Sequence, residues 1–410
     1  MKVKVIEKAV SFVKRQEKPF KVNMIRTSLQ QFFVSLTQQY QPLYIAALGA
    51  DAFQLGFVNG MGGIASAAVS VPTGWLADKY GIRKMFLLGI PFVAVGSLIF
   101  TLSADWLMTI PALFITVLSL QILMTVCPMV CGTYLKMNER ATGMQLCDTI
   151  VAIPGIIAPM IAAMIITGFG GLTPEGIRPL YGLQTLGFLF LLFLVLRYYR
   201  DTIERKSTSR SGNKMGFLGN MREVLRRKSV KLWIAYRSIS NISWFLSLTY
   251  LPLFVAEVKG GDQFILGAMA TASMIVPLLL SIPTGRLADT FGRKKVIYAV
   301  APFYFLSILF LIYAPDSNIL LVSGFLQGFL VLGLVVQGAI SQELVPASLL
   351  GTWWGILGLL WGIMGVLGPI LGGFIWSFIG PVYVFFFILL MEILKIAFLW
   401  LFIPETLKMP

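Results

Sequence analysis

Asp148, Glu392 and Lys395 are ionisable side chains inside long apolar stretches of a chain in which 57% of residues are hydrophobic and 12% charged. A carboxylate withdrawn from water is either held by a fixed basic partner or reversibly protonated, because burial penalises its charged form. Asp148, two turns beyond Arg140, is the candidate for taking up and releasing a proton. Glu392 and Lys395 stand three apart, the spacing of an ion pair on one helix face, and are expected to serve structure. Uncharged hydrogen-bonding groups form a second set. Gln31, Ser35 and Gln38 fall at i, i+4 and i+7, one polar stripe on an apolar helix, with Thr37, Gln39 and Tyr40 beside it. Asn241 lies 241 − 31 = 210 residues after Gln31, with Trp244 one turn on; Gln121, Gln327 and Gln337 interrupt other apolar runs. An amide facing lipid is costly, so these groups are expected to turn inward, towards either a solute or a neighbouring helix. Arg237, near a helix start, is expected to snorkel to the membrane interface.

Other chemistry finds little support. The chain has no histidine, and Cys127, Cys131 and Cys147 form no CxxC, so no metal site or cofactor is expected and the cysteines read as small buried hydrophobes. No nucleotide-binding P-loop and no serine–base pairing is present, which argues against an enzyme.

Positioning such side chains falls to elements that cross a bilayer. A spanning helix takes about 20 mostly apolar residues. Such runs recur near 27–49, 54–77, 84–103, 107–133, 141–168 and 180–199, then near 232–256, 263–287, 295–314, 318–342, 350–377 and 381–403. The expected fold is an all-α integral membrane protein with twelve transmembrane helices. Residues 1–26 form a basic segment without the apolar core of a cleavable signal, residues 200–231 a basic linker in which Phe217–Arg226 suits a short surface helix, and 404–410 a tail.

A net charge of +15 would suggest nucleic acid in a soluble protein. Here Lys and Arg gather at 2–26, 79–84, 136–140, 197–231 and 293–295, whereas the opposite set of connections holds only Arg178 and Lys259. That is the positive-inside asymmetry, which places both termini and the linker in the cytoplasm of a multi-pass plasma-membrane protein. The basic segments are expected to meet the anionic inner leaflet, with no nucleic-acid partner, in a monomer.

The two sets of six are related to each other. GWLADKYGIRK (Gly74–Lys84) returns as GRLADTFGRKK (Gly285–Lys295), a spacing of 285 − 74 = 211. Tyr40-Gln41-Pro42-Leu43-Tyr44 is echoed by Tyr250-Leu251-Pro252-Leu253-Phe254, and Ala158-Pro159 by Gly368-Pro369, at 210. Six is even, so both halves start on the same side and the repeat is parallel. The halves are residues 27–199 and 232–403. Gly74 and Gly285 are expected to allow close backbone approach, and Gly81 and Gly292 to take positive φ in a tight reversal. The glycines of 355–373 and Pro369 are expected to pack or bend the eleventh helix.

The duplicated G-x-L-A-D-x-x-G-x-[RK]-K loop, the twelve helices, the basic linker and the closing Pro404-Glu405-Thr406 resemble the major facilitator superfamily over essentially the whole chain. The resemblance implies two six-helix bundles related by a pseudo-two-fold axis, rocking about a central cavity. It implies a conformational gate formed by Gly74, Asp78, Lys79, Gly81, Arg83 and Lys84, with Gly285, Asp289, Gly292 and Arg293 as the second copy. Ile82 and Thr290 depart from the pattern where the family carries cations. The first, fourth, seventh and tenth helices of this family line the cavity, which makes Gln31, Gln38, Tyr40, Gln121, Asn241, Trp244, Gln327 and Gln337 the solute-contact candidates. The expected function is secondary transport of a small organic solute, with proton-coupled export of amphipathic compounds ahead of uptake of a sugar, amino acid or small organic acid. A non-transporting receptor or scaffold of the same fold is a further alternative. The fifth helix lacks the glycines of the G-P-x-x-G-G motif of drug-exporting branches, which instead stand in the eleventh.

Overall fold

The computed structural model describes residues 15–70, 73, 80–135, 140–199, 217–346 and 349–405, and among these every regular element is helical. Among the described residues, eleven helices are long and apolar enough to cross a membrane. They are the second span Ala52–Ser70, the third Ile82–Leu102, the fourth Thr109–Tyr134, the fifth Arg140–Gly168 and the sixth Pro174–Tyr198. The other half supplies the seventh Lys228–Leu253, eighth Gln263–Phe291, ninth Arg293–Tyr313, tenth Ser317–Glu343, eleventh Leu350–Phe378 and twelfth Pro381–Phe402. The first span is different. It starts at Lys18, ahead of the expected position 27, runs to Gln38, and resumes as Gln41–Ala47. Its polar stripe makes it less apolar than the rest, and Pro42, with φ preset and no N–H to lose, opens its second piece.

The spans form two bundles of six. One buried cluster lies within the first (Phe20, Phe86, Val126, Tyr199), another within the second (Trp233, Ile340, Trp353, Leu399), and a third unites Tyr40, Leu55 and Ala158 with Tyr250, Leu266 and Leu320. The linker contributes the helix Phe217–Arg226, whose Val224 is buried in the second cluster.

Helix ends on the face away from the basic loops repeat the internal spacing. Asp51 accepts the Gln54 N–H (2.7 Å) and Asp262 that of Ile265 (2.9 Å), an offset of 262 − 51 = 211. Asp105 accepts from Met108 N and Asp316 from Ile319 N (both 3.0 Å), again at 316 − 105 = 211. These carboxylates satisfy first-turn N–H groups that a helix leaves open. The two cations of this face do the converse. Arg178 donates to Ser103 O (2.7 Å), and Lys259 to Ile312 O (2.6 Å) and Ala314 O (3.2 Å), at the C-termini of the third and ninth spans. Partial burial lowers the Lys259 pKa below its ordinary value.

On the basic face Gly81 and Gly292 have φ of 84° and 108°, the left-handed conformation expected where the third and ninth spans begin. Gly285 departs from expectation, since a Cβ there would meet nothing within 4 Å. Close approach occurs instead along the eleventh span. A Cβ on Gly362 would lie 2.5 Å from Ala67 N, and one on Gly63 2.5 Å from Gly365 C, so the glycines let the second and eleventh spans pack backbone to backbone across the two halves.

Candidate functional site

A cavity of about 270 Å³ lies where the first and fifth spans meet the seventh to tenth. The first span supplies Ser35, Gln38 and Gln39, the seventh Trp244 and Ser247, the ninth Tyr304 and the tenth Gln327. Pro159, Leu248, Met269 and Met274 make its apolar wall. The polar groups reach it through helix periodicity: Trp244, Ser247 and Leu251 recur along one side of the seventh span. Tyr304 Oη lies 2.7 Å from Ser247 Oγ, and Trp244 packs 6.2 Å from Trp361, which fixes the indole against the eleventh span. The Gln327 Nε2 is buried without a protein acceptor, a donor with unused capacity beside the cavity. Among the described side chains, no Asp, Glu, Lys or Arg lines the space. These side chains can recognise a solute by uncharged hydrogen bonds and an aromatic face.

Of the eight solute-contact candidates, Gln38, Trp244 and Gln327 meet in this cavity. The others turn elsewhere. Gln31 donates to Ser35 Oγ (3.0 Å) beside Gly155, and Gln121 is not among the residues lining the cavity. Asn241 is buried off the cavity with its Oδ1 unpartnered. Gln337 accepts from Arg237 (2.6 Å) and Ser240 (3.4 Å). Arg237 is thus held within the bundle instead of snorkelling outward. Ser247 and Tyr304 lie outside the candidates that the sequence points to; Tyr304 sits on the ninth span, which is not one of the helices lining the family's cavity, and its hydroxyl in an apolar run is the sequence signal for it.

Tyr40, also a solute-contact candidate, is a clasp instead. Its Oη lies 3.1 Å from Pro159 O in its own half and 2.9 Å from Gln263 O at the start of the eighth span. Tyr250 mirrors it, 2.7 Å from Pro369 O and 3.1 Å from Ala52 O at the start of the second span. The partners keep the repeat spacing, with 250 − 40 = 210 and 369 − 159 = 210. Each clasp needs a glycine: a Cβ on Gly56 would lie 2.6 Å from Tyr250 Oη, and one on Gly267 3.0 Å from Tyr40 Oη. The two hydroxyls tie the halves together at the end away from the basic loops.

The family model of the Major Facilitator Superfamily matches the chain twice, over residues 27–268 and 239–410. The chain belongs to that superfamily. It is a multi-pass membrane transporter of this type and not an enzyme. Its fold is similar to the crystal structure of the nucleoside transporter NupG (TM-score 0.72, 14% identity, 94% of this chain and 99% of that one). It is likewise similar to a D-xylose-proton symporter (TM-score 0.71, 16% identity, 95% and 98%) and to a POT family transporter (0.74, 14%, 93% and 95%). A local match joins it to the Arabidopsis thaliana protein D-xylose-proton symporter-like 3, chloroplastic, 38% identical over 89 residues, which span 21% of this chain and 16% of that relative.

In this transporter the second loop copy is tied to its own half. Arg293 lies 3.5 Å from Asp289, whose side chain is 70% exposed, and 2.8 Å from Glu343 of the tenth span. Glu405 accepts the N–H groups of Arg293 and Lys294 (both 3.1 Å) and so caps the ninth span. Lys84 is exposed at the start of the third span, and Arg83 is half-buried beside it. Gly74, Asp78, Lys79 and the terminal segments 1–14 and 406–410 lie outside the described residues, as do the side chains of Cys127 and Asp148.

Proposed function

We propose that this transporter carries a small uncharged solute with several hydroxyl or amide groups, of sugar or nucleoside type, by alternating access coupled to protons. The carrying observation is the cavity itself: amides and hydroxyls at Ser35, Gln38, Ser247, Tyr304 and Gln327, an indole at Trp244, and no charged group among the described lining residues. Trp244 suits the flat apolar face of a sugar ring or base, and the amides suit its hydrogen-bonding edge. The names of the similar transporters, nucleoside and D-xylose-proton, support the same solute class and proton coupling. In this reading the chain works as a monomer in the plasma membrane, with 1–26, the linker 200–231 and 404–410 on the cytoplasmic side against anionic lipid. Asp78 and Asp289 belong to the gate, and Asp148 is a proton carrier of the N-terminal half.

A second reading, proton-coupled export of amphipathic compounds, is favoured by the apolar wall of Leu248, Met269 and Met274. Counterflow in proteoliposomes separates the two. Labelled pentoses, hexoses or nucleosides are expected to exchange, and Gln327→Ala to raise their half-saturation concentration by about 3- to 10-fold, the worth of one neutral hydrogen bond. Exchange of amphipathic cations alone would replace the first reading by the second. Binding without exchange would leave a receptor.

A further inference from the structure

Arg237 stands 237 − 228 = 9 residues inside the seventh span, and Gln337 stands 343 − 337 = 6 residues before the end of the tenth. Both therefore lie about 9–13 Å from the span ends nearest the basic loops. A guanidinium at that depth stays charged and has five N–H groups to satisfy. Other cations in or at the ends of the spans are provided for. Arg26 donates to Asn23, Thr27 and Gln30 and lies over the Phe86 ring. Arg178 and Lys259 meet backbone carbonyls, Lys395 meets Glu392, and Arg293 meets Asp289 and Glu343. Arg237 is left with one neutral acceptor. Its Nη1 donates to Gln337 Oε1 (2.6 Å), an oxygen that also accepts from Ser240 (3.4 Å). Its Nε is buried without an acceptor, and among the described residues no carboxylate pairs with it. A charge withdrawn from water in this way is costly until a countercharge arrives.

The helix faces say where that countercharge would come from. Along the seventh span Arg237, Asn241, Trp244, Leu248 and Leu251 fall at i, i+4, i+7, i+11 and i+14, one face, and the last three line the solute cavity. On the tenth span Gln337 lies seven residues past Leu330, which lines the cavity as well. Arg237 and Gln337 thus continue the lining faces of two spans, about two turns or ~10 Å from the cavity on the side of the basic loops. The tyrosine clasps lie at the opposite end. Exposure on this face is exposure to the path: Leu248 is 37% exposed and yet lines the cavity, and Arg237 is half-buried one face-repeat below Trp244. Between them Asn241, 1% exposed, has an amide oxygen without a donor, so a second polar group on the same face is unfilled.

We propose that Arg237, positioned by Gln337, is an anion subsite on the solute path, which takes an oxyanion group, carboxylate or phosphate, on the basic-loop side of the cavity. The edge of the guanidinium not engaged with Gln337 matches two oxygens of such a group. The oxyanion is either free or a substituent of a carried solute, and the two sources are separable. The inference goes beyond the uncharged-solute reading and does not rest on it, because binding to the purified protein reads the site directly. Thermal melting in detergent is measured with sodium phosphate, with sodium glucuronate and with glucose, at an ionic strength matched by sodium chloride. Phosphate, or glucuronate beyond glucose, is expected to raise the wild-type melting temperature above the chloride control. Arg237→Met and Arg237→Gln are each expected to weaken that binding by about 10- to 100-fold, the worth of a charge-assisted hydrogen bond. Without added oxyanion both variants are expected to melt no lower than the wild type, since each removes a charge that lacks a countercharge. A response to phosphate alone supports a free oxyanion, and a response to glucuronate alone supports an acid group on the solute. Shifts no larger than with chloride, shifts that persist in both variants, or melting of both variants well below the wild type overturn the proposal. Failure of labelled sugars and nucleosides to exchange would fault the uncharged-solute reading and leave this result standing.

Discussion

The two halves of this transporter share a skeleton and divide its chemistry unequally. Where they match, they match in atoms: Tyr40 and Tyr250 each reach a proline carbonyl in their own half and the first residue of a span in the other. Asp51, Asp105, Asp262 and Asp316 cap helices at one repeat spacing, and Arg178 and Lys259 close the ends of equivalent spans. These contacts hold helix ends and the seam between halves, tasks that a two-fold arrangement sets identically on both sides. The differences lie in the interior. The N-terminal half gives the cavity Ser35, Gln38, Gln39 and Pro159, and most of the remaining wall, including Trp244, Tyr304 and Gln327, comes from the C-terminal half. Arg26, fully buried, is bonded to Asn23 and Gln30 and lies over the Phe86 ring, whereas Tyr236 at the matching position has a free hydroxyl. The internal repeat thus accounts for the shared frame, and the polar lining of the cavity is concentrated in one half.

The seams differ as well, and the largest expected effect probes them. Between the second and eleventh spans, close packing continues from Gly373 at Ala52 to Gly358 at Ser70. Between the fifth and eighth, the described residues show it at Gln263–Thr167, Gly267–Pro159 and Thr271–Ile156. A methyl group on Gly56 would lie 2.3 Å from Pro369 O, and one on Gly267 2.8 Å from Pro159 O. Overpacking of this kind costs about 1–3 kcal/mol. Both Gly56→Ala and Gly267→Ala are expected to lower the melting temperature in detergent, Gly56→Ala more. A larger drop for Gly267→Ala would reverse the order of the seams.

The clasps come next in size. Tyr40→Phe and Tyr250→Phe each remove one hydroxyl, worth about 0.5–1.5 kcal/mol. Each is expected to raise, by about 2- to 12-fold, the thiol-labelling rate of a cysteine at the cavity position Ala270, probed from the side away from the basic loops. Equal shifts would support two matched clasps; a response from one tyrosine alone would break the symmetry. The smallest effect is expected at the helix ends. Arg178→Met and Lys259→Met should each cost about 0.3–1 kcal/mol, read as faster amide exchange at the C-termini of the third and ninth spans with transport unchanged.

How far the site could be read from the sequence depended on the kind of constraint. The polar stripe Gln31–Ser35–Gln38 told that one face turns inward, yet a helical wheel does not say which inward neighbour that face meets. Gln38 reached the cavity while Gln31 spent its amide on Ser35, one turn away. Tyr40, three positions past Thr37, lies beyond the end of the first helix and so left the stripe altogether. Glu392 and Lys395 were legible as a pair from their spacing, but the burial of the pair and the unpartnered Glu392 Oε1 depend on the spans packed around them.

Hydropathy, charge placement and the internal spacing of 210 to 211 residues determined on their own the twelve spans, the two halves, their parallel relation and the glycine reversals at Gly81 and Gly292. Those properties follow from local chain composition against a bilayer, which acts on each segment separately. The tertiary structure alone decided which polar groups share a cavity, which tyrosines join the halves and which buried charge keeps an open valence. These depend on the rotation and closeness of helices far apart in the chain, and a one-residue turn of 100° sends a side chain from cavity to seam.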